Sequence, residues 1–343
     1  MIEQSRIDRL KMDWDLLTNV MALADIKPTH GWWIGPCPLC GGTDRFNMKQ
    51  TAQGWRWLCR KCTGGKYHDS IEMMMKLWNV SFQAAVERMD GGSKISEEES
   101  LRLAIRRAEA AKQQLEAQIA LANEKLADLR SAAAWVKWHD SMDEIGRDLW
   151  AARGITDQFW QDWWQLGVDP MHDFYIKGKG KWQSPTLTIP VFGLGWDIRQ
   201  VKHRLLAPPT EHDRYRPEMA DLPPAPFIGD PDQESISGRA VLVEGEIKAM
   251  VTMQTLADET TAVIGLPGKS TISTALPVLK DADPVIFVPD PDMADDEIKG
   301  VVDQIGASRT RIVKLPEKID DAIIEFNLDR QWLRNVLNTA WRI

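Results

Sequence analysis

The sequence predicts a multidomain α/β protein with a small cysteine-rich N-terminal domain, a long helical, coiled-coil-like linker and a C-terminal α/β core. Three observations indicate this architecture. Two cysteine pairs fall within residues 37–62, an apolar heptad pattern covers residues 101–136, and short apolar strands alternate with helices after residue 238. The chain has 343 residues, and a single hydrophobic core rarely grows beyond about 250–300 residues. We therefore expect several domains.

Composition and charge exclude several classes of protein. Hydrophobic residues make up 43% of the chain and charged residues 27%, which is typical of globular proteins and not of disordered or fibrous ones. The sequence contains no apolar run of about 18 residues, the length that a membrane span needs. We therefore expect a cytoplasmic protein without a membrane partner. The net charge of −8 argues against a wholly basic protein that coats nucleic acid, but it allows a local basic surface.

The N-terminal domain contains a pattern typical of a structural zinc site. Helical spacing over residues 5–26 and 68–89 flanks a segment with two C-x-x-C pairs, separated by 18 residues and formed by Cys37, Cys40, Cys59 and Cys62. Two such turns present four thiolates to one Zn²⁺ and leave no open coordination position. The alternative is four ordinary buried or redox-active cysteines. The sequence therefore predicts a structural zinc rather than a catalytic one.

Basic and aromatic residues surround these cysteines. Tryptophans occupy positions 32, 33, 55 and 57, and basic residues occupy positions 49, 56, 60, 61 and 66. Such mixtures bind single-stranded nucleic acid, because bases stack on aromatic rings and phosphates pair with cations. We expect about half of these tryptophans to form the core of the small domain and the others to be candidates for base stacking.

This domain resembles the zinc-ribbon module of phage and plasmid DNA primases. The resemblance covers residues 30–75 and rests on two segments, Cys37-Pro38-Leu39-Cys40-Gly41-Gly42-Thr43-Asp44-Arg45-Phe46 and Trp57-Leu58-Cys59-Arg60-Lys61-Cys62. In that family the ribbon helps to choose the template sequence at which priming starts. The resemblance therefore implies a single-stranded DNA template as a partner.

The linker is predicted to be one long helix. Apolar residues recur at alternating spacings of four and three residues from Leu101 to Val136, interrupted by Lys112. This heptad seam is typical of a helix that packs along its length against another helix or a domain. One interpretation is an arm that packs on its own domain. The other is self-association or docking to a replicative helicase.

Carboxylates follow two apolar strands of the predicted core. Glu244 ends the strand Val241-Leu242-Val243, and Asp290 and Asp292 follow Ile286-Phe287-Val288. Strand–helix alternation predicts a largely parallel sheet, in which the carboxyl ends of neighbouring strands meet at one edge. Carboxylate oxygens at such an edge suit Mg²⁺ or Mn²⁺. The alternative is a solvated acidic loop.

The core resembles a Toprim domain within the catalytic core of bacterial replicative primases. Beyond the acidic strand ends, the resemblance covers about residues 145–325 and includes Arg153-Gly154-Ile155, Leu166-Gly167, Arg199-Gln200-Val201-Lys202-His203-Arg204, Arg214-Tyr215, Ile264-Gly265-Leu266-Pro267-Gly268 and Val313-Lys314-Leu315-Pro316-Glu317 with Asp320. Independently of this resemblance, residues 172–216 contain eight lysines and arginines against four acidic residues. The six histidines show no zinc-protease or deaminase spacing and are interpreted as incidental, except that His68 is a candidate to support the zinc-binding domain.

The resemblance implies a role for each matching residue. Glu244 would be the general base or a metal-orienting carboxylate, Asp290 and Asp292 would bind catalytic Mg²⁺ or Mn²⁺, and Asp320 is a further acidic candidate. The template and the incoming NTP would lie along a basic track formed by Arg199, Lys202, Arg204 and Arg214. The implied activity is that of a DNA primase, a nucleotidyltransferase of the DNA-directed RNA polymerase type, of a phage or mobile element in a bacterial host cell.

The sequence departs from this family at two positions. Lys248 stands where bacterial primases usually have an aspartate four residues after the glutamate, and Asp321 stands where they often have proline. A basic residue at position 248 would change the number of bound metal ions. Two alternatives stay open. One is a Toprim nuclease, which would use the same carboxylates to cut phosphodiesters, and the other is a non-catalytic DNA-binding replication or defence factor, which Lys248 favours.

The expected domains follow from these assignments. Residues 1–90 form a zinc-ribbon template-binding domain, and residues 91–139 form the helical linker. Residues 140–236 form the basic N-terminal subdomain of the primase core. Residues 237–343 form a Toprim domain with a C-terminal helix.

Overall fold

The computed structural model describes residues 2–12, 24–91, 97–176, 180–210, 213–258, 260–268 and 271–341. The chain forms two compact units, Met1–Leu121 and Ala122–Ile343. The division into four domains is finer than this and stays a prediction. Among the described residues, no helix combines the length and the apolar character that crossing a membrane requires.

The first unit is built on a five-stranded antiparallel sheet. Its strands follow chain order, β1 (Lys27–Thr29), β2 (Trp32–Cys37), β3 (Gly41–Thr51), β4 (Gly54–Cys59) and β5 (His68–Asp69). Gly54, which follows the turn between β3 and β4, has φ +106°, and a Cβ there would lie 2.5 Å from the Lys11 carbonyl oxygen. Only glycine combines this backbone conformation with such a close approach.

Helices α1 (Gln4–Met12) and α2 (Ser70–Trp78) pack on this sheet, and α3 (Phe82–Asp90) packs on both of these helices. The helical spacing over residues 68–89 corresponds to two helices, because Asn79 is left-handed with φ 54° and the Ser81 side chain caps α3. Helix α1 accounts for the start of the helix predicted over residues 5–26, and residues 13–23 lie outside the described part of the chain. Fully buried side chains, including Phe46, Trp57 and Ile71, form the core.

The predicted long helix is confirmed as α4 (Glu97–Ala132), which has 36 residues and, at 1.5 Å per residue, is about 54 Å long. It ends before the predicted seam does, because Ala133 has φ 44° and a second helix, α5 (Ala134–Asp140), follows. Leu126 and Leu129 of the seam are buried with residues of the second unit such as Phe192. This end of the seam therefore packs on its own domain, whereas Leu101, Ile105, Leu115 and Ile119 are at least half exposed.

The second unit begins with an antiparallel sheet. Helices α6 (Glu144–Ala151) and α7 (Gln158–Trp163) precede four strands in chain order, β6 (Gly167–Ile176), β7 (Gly180–Phe192), β8 (Ile198–Leu205) and β9 (Tyr215–Pro217). Strands β7 and β8 flank Gly193 and Gly195. Helix α5 packs against β6 and β7.

A second sheet in this unit is largely parallel, as predicted. Its strands are β10 (Phe227–Ile228), β11 (Ser237–Glu244), β12 (Thr261–Leu266), β13 (Asp281–Val288) and β14 (Thr310–Ile312), in the order β10-β12-β11-β13-β14, with β10 antiparallel. The helices are α8 (Glu246–Leu256), α9 (Ile272–Ala275), α10 (Asp295–Ile305), α11 (Ile319–Glu325) and α12 (Arg330–Asn338). The sequence predicted one C-terminal helix, and two are present.

Both faces of the parallel sheet are covered, and β11 lies at its centre. Val241 and Val243 belong to a core that includes α8 and α12, whereas Ala240 and Leu242 belong to a separate core on the other face. Because successive residues of a strand point to opposite faces, β11 is fixed from both sides. This packing determines where Glu244 leaves the sheet.

Candidate active site and metal centres

The four predicted zinc ligands lie together in the first unit. Cys37 ends β2, Cys59 ends β4, and Cys40 and Cys62 lie in the turns that follow. The Sγ atoms of Cys37 and Cys62 are 3.8 Å apart, those of Cys40 and Cys59 are 3.7 Å apart, and all four lie within 4.8 Å of one another. These separations suit one tetrahedral ion bound by four sulfurs at about 2.3 Å.

The turns also supply hydrogen bonds to the sulfur atoms. The backbone N–H of Leu39 donates to Cys37 Sγ and that of Cys62 donates to Cys59 Sγ, both at 3.4 Å. A hydrogen bond from the Cys62 thiol, assisted by the Leu39 amide, lowers the pKa of Cys37 to about 5. The thiolate, which is the form that binds metal, is therefore favoured at Cys37.

Half of the tryptophans near the zinc site are buried, as the sequence predicted. Trp55 and Trp57 are 6% and 1% exposed, whereas Trp32 and Trp33 are partly exposed. The Lys49 ammonium lies 4.5 Å from the ring centroid of Trp32 and 5.2 Å from that of Tyr67. Tyr67, which the sequence analysis did not single out, is 43% exposed and extends this cation–aromatic surface.

The second unit contains a cavity of about 670 Å³ between its two sheets. One wall comes from β8, β9 and the segment before them, and the other from the carboxyl edge of β11 with the starts of α8 and α11. Its charged lining residues are Arg153, Lys202, Arg204, Arg214, Arg216, Glu244, Glu246, Lys248, Lys318, Asp320, Asp321 and Glu325. A basic wall therefore faces an acidic one.

Three of the four predicted basic-track residues line this cavity. Lys202 and Arg204 are two residues apart on β8 and so share a face, and Arg214 precedes β9. Arg199 does not line the cavity; it lies where the register between β7 and β8 shifts, and its Nη2 lies 2.8 Å from Asp197 Oδ2. The structure therefore brings Lys202, Arg204 and Arg214 together without Arg199.

Arg153 and Tyr215 also line the cavity, and both lie in segments that resemble the primase core without being among the predicted site residues. Arg204 Nη1 donates a hydrogen bond of 2.5 Å to Tyr215 Oη. Burial raises the pKa of Tyr215, which keeps the phenol neutral. Partial desolvation, with the nearby charges of Arg204 and Arg214, lowers the pKa of Arg153. Three guanidinium groups in one place form a strong binding site for phosphate.

The predicted carboxylates lie at the edge of the parallel sheet. Val243 of β11 is paired with Val288 of β13, so Glu244 and Asp290 leave neighbouring strands at the same edge. Lys248 Nζ lies 2.6 Å from Asp290 Oδ2, and these side chains are only 14% and 12% exposed. Asp292 is exposed in the following turn. Asp290 is therefore engaged by the lysine that departs from the family pattern.

Two further acidic residues belong to this edge. Glu246, at the start of α8, is buried and forms an ion pair with Lys202. Asp320, in the first turn of α11, has its Oδ1 atom buried without a hydrogen-bond partner among the described residues. Burial raises the pKa of Asp320 and the charge of Lys248 opposes that rise. An unpartnered buried carboxylate oxygen is the type of atom that a cation satisfies.

The backbone beside Glu244 is tightly packed. The Gly245 N–H donates to the Leu266 carbonyl oxygen at 2.7 Å. A Cβ at Gly265 would lie 2.6 Å from the Gly245 carbonyl oxygen, so a side chain there would displace the start of α8. The close approach of Gly265 therefore fixes the backbone next to Glu244, and Leu266, Pro267 and Gly268 line the cavity.

A histidine cluster lies elsewhere in the second unit. The rings of His172 and His203 stack with centroids 3.5 Å apart and planes 13° apart. His203 Nε2 lies 2.9 Å from Glu218 Oε2, and His172 Nδ1 lies 3.3 Å from Asp169 Oδ2. Imidazole lone pairs lie in the ring plane, so one ion between parallel rings would be out of both planes. We interpret this cluster as a hydrogen-bonded network.

The comparisons with known proteins agree with the ribbon geometry. Residues 34–71 match the family model described as the zinc-binding domain of primase-helicase. The predicted resemblance to primases is confirmed. The four cysteines are thus in position to bind the structural zinc of a primase-type ribbon, with no coordination position left for catalysis.

Solved primase structures are similar to the rest of the chain. A DnaG primase catalytic domain bound to single-stranded DNA is 13% identical, with 65% of this chain and 83% of that chain covered and a TM-score of 0.52. A DnaG catalytic core is 14% identical, with 63% and 80% covered and a TM-score of 0.50. The second unit therefore has a fold like that of a primase catalytic core. The primase of Aquifex aeolicus, with its zinc-binding and RNA polymerase domains, is 16% identical, with 99% and 87% covered and a TM-score of 0.43.

Proposed function

We propose that this protein is a DNA primase of a phage or another mobile element, which makes short primers on single-stranded DNA by metal-dependent nucleotidyl transfer. The observation that carries this proposal is the cavity in which the carboxylate edge of β11 faces Lys202, Arg204 and Arg214. A basic wall suits the phosphates of template and nucleotide. The acidic wall suits the cation that such a transfer requires.

The parallel sheet with its two acidic strand ends supports a Toprim assignment for residues 237–343. Residues 140–236 would then be the basic subdomain of the core. Residues 91–139 and residues 1–90 would be the linker and the template-binding ribbon. Single-stranded template would bind at the ribbon surface of Trp32, Lys49 and Tyr67, because bases stack on exposed rings.

The residues at the acidic edge supply the donor chemistry that a divalent cation prefers. Their donors are all carboxylate oxygens, which Mg²⁺ and Mn²⁺ prefer, and the buried Asp320 Oδ1 atom lacks a partner among the described residues. Glu244, Asp290 and Asp292 would hold the ion, with Asp320 as a further acidic neighbour. When bound, the ion would stabilise the negative charge that develops on the α-phosphate.

The reaction joins a 3′-hydroxyl oxygen to the α-phosphorus of an incoming NTP and releases pyrophosphate. Glu244 is the candidate acceptor for the hydroxyl proton. Arg153, Arg204 and Arg214 would hold the triphosphate through charge-assisted hydrogen bonds. The neutral Tyr215 phenol would orient Arg204. These roles require a template and an NTP, which we propose as partners together with a replicative helicase or a second copy of the chain at the exposed part of α4.

The ion pair between Lys248 and Asp290 favours one alternative, a non-catalytic DNA-binding replication factor. An ammonium that occupies a metal-binding carboxylate would reduce metal binding, and a protein without the ion could still bind template. The Toprim nuclease has no comparable support, because the basic wall of the cavity occupies the place where a primase holds nucleotide.

Incorporation of labelled nucleotides on a panel of single-stranded templates, with Mg²⁺ or Mn²⁺, tests the proposal. We expect short template-dependent products, lost in the D290A/D292A variant and retained in D140A/D148A, a matched change at exposed positions. No product from protein that still binds template would contradict primase activity and favour the binding factor. Metal-dependent degradation of DNA without nucleotides would instead identify a nuclease.

A further inference from the structure

Lys248 occupies an unusual position for a lysine. It lies in the first turn of α8, four residues after Glu244, and its side chain is only 14% exposed. Lysine is rarely buried unless an opposite charge accompanies it. Here its ammonium lies 2.6 Å from the carboxylate of Asp290, which is 12% exposed, and it lines the same cavity as Glu244 and Asp320.

The surroundings of Lys248 hold it in this place. Glu246, two residues before Lys248, is buried and forms an ion pair with Lys202 of β8. This ion pair anchors the first turn of α8. Asp320 on α11 lies near enough for the charge of Lys248 to oppose the effect of burial on its pKa. The ammonium therefore lies among carboxylates that come from β13 and α11, and it neutralises part of their mutual repulsion.

A divalent cation and the Lys248 ammonium would compete for the same oxygen. A charged lysine has three N–H donors and no lone pair, so it cannot itself bind a metal ion. Lys248 donates to Asp290 Oδ2, so a cation bound through Asp290 would share this carboxylate with the ammonium. A two-metal site holds its ions about 3.5–4 Å apart, and a second ion that used Asp290 Oδ2 would have to displace the ammonium, which lies 2.6 Å from that oxygen.

We propose that the Lys248 ammonium takes the place of one divalent cation, so that the core binds a single divalent ion next to a fixed lysine charge. This inference rests on the proposed function, because it uses the metal site assigned there. Lys248 is a positioning residue that holds Asp290 and supplies positive charge at the acidic edge. That charge does not dissociate when free metal is removed.

Counting bound Mn²⁺ tests this inference. The zinc-loaded full chain is titrated with Mn²⁺ without template or nucleotide, and free Mn²⁺ is measured by electron paramagnetic resonance. We expect one Mn²⁺ per chain for the wild type and for K248R, which keeps the charge, and two for K248D. The control K137D, which adds a carboxylate at an exposed position on α5, should still bind one.

Two Mn²⁺ ions in the wild type, or the same count in wild type and K248D, would overturn the inference. If K248D does not fold, K248Q gives a second measurement. Loss of the ammonium should tighten the binding of the first Mn²⁺ by about tenfold, equivalent to about 1.4 kcal/mol, because charge repulsion disappears. An unchanged Kd would overturn the inference as well.

The experiment separates this inference from the proposed function. It needs no nucleotide, so failure of primer synthesis does not alter the Mn²⁺ count. Retention of Mn²⁺ binding in D290A/D292A would contradict the location of the metal site and thereby overturn the inference. A wild-type chain without bound Mn²⁺ would overturn both the inference and the metal-dependent part of the proposed function.

Discussion

Lys202 of the antiparallel sheet and Glu246 at the start of α8 form a buried ion pair across the cavity of the second unit, with side chains only 14% and 5% exposed. The pair joins the basic wall of the cavity to its acidic wall. It also fixes the helical turn that contains Lys248. The stability of this contact therefore bears directly on the geometry of the site.

Removal of one partner of this pair should be costly. We expect K202M to lower the free energy of unfolding by about 3–5 kcal/mol, because Glu246 would remain buried without an opposite charge. The double variant K202M/E246Q should recover much of this loss. Chemical denaturation of the wild type, both single variants and the double variant measures the coupling, and strictly additive losses would contradict it.

Arg153 should contribute to nucleotide binding although the sequence analysis gave it no role. We expect R153M to weaken NTP binding by about 1.5–3 kcal/mol, which is more than tenfold, since a charge-assisted hydrogen bond contributes about that much. Fluorescence titration with a labelled NTP measures the affinity. The control R311M alters an arginine of β14 that does not line the cavity, and an equal loss in both variants would argue against a specific phosphate contact.

Substitution of one zinc ligand should unfold the ribbon and leave the core folded. Structural zinc contributes about 10–16 kcal/mol to the folding of small domains. Without it, such a domain has too little stability to stay folded. We expect C59S to lose its zinc and its resistance to proteolysis over the first unit. K61A, at an exposed position between two ligands, should keep both properties. Metal analysis and limited proteolysis provide the measurements, and a zinc-loaded C59S would contradict the assignment.

The partly exposed ring of Trp32 should stack on a template base. We expect W32A to weaken binding of single-stranded DNA by about 1–3 kcal/mol, the contribution typical of one stacked base. Fluorescence anisotropy with a labelled oligonucleotide measures this change. W341A removes a ring that is 46% exposed in the second unit. Similar affinities of W32A and the wild type for single-stranded DNA would show that Trp32 does not contact the template.

The histidine network predicts loss of stability at acidic pH. Desolvation, with the charge of His203, lowers the pKa of His172 from 6.5, and the hydrogen bond from His203 lowers the pKa of Glu218 from 4.5. As pH falls below about 6.5, the unfolded chain protonates His172 before the folded chain does, so stability falls. Glu218 adds a second stage, in which stability falls further below about pH 4.5, because the unfolded chain protonates this carboxylate before the folded chain does.

Thermal unfolding between pH 7.5 and pH 4 measures both stages. H172Q should remove the first stage and leave the second. H30Q, a change at an exposed histidine of the first unit, should leave both. An H172Q variant with the full decrease between pH 6.5 and pH 5 would assign that decrease to other groups.

Local patterns predicted much of this fold. The cysteine spacing identified all four zinc ligands, and the two apolar strands that end in acids located Glu244 and Asp290 at one sheet edge. Contacts between distant residues were not predictable from spacing. The pairing of Lys248 with Asp290 depends on the register of β11 against β13, and that of Lys202 with Glu246 depends on how two sheets pack.

Two differences between the predicted and the observed structure have local causes. Arg199 lies at a register shift between β7 and β8, where strand alternation no longer determines which face a side chain takes. The break after α2 depends on Asn79, which tolerates a left-handed backbone but does not require one. The histidine network joins β6 and β8 across β7, a long-range contact that no local motif indicates.

The packing of β11 also limits how this protein can vary by insertion and deletion. Alternate residues of β11 belong to two separate cores on opposite faces of the sheet. A one-residue insertion in β11 before Glu244 would turn these side chains to the wrong faces and move the Glu244 carboxylate away from the edge of the sheet. The register of β11 with β13 already shifts between Gly238 and Ala240. Homologues should therefore tolerate insertions and deletions before this register shift and retain a constant spacing from Ala240 to Glu244.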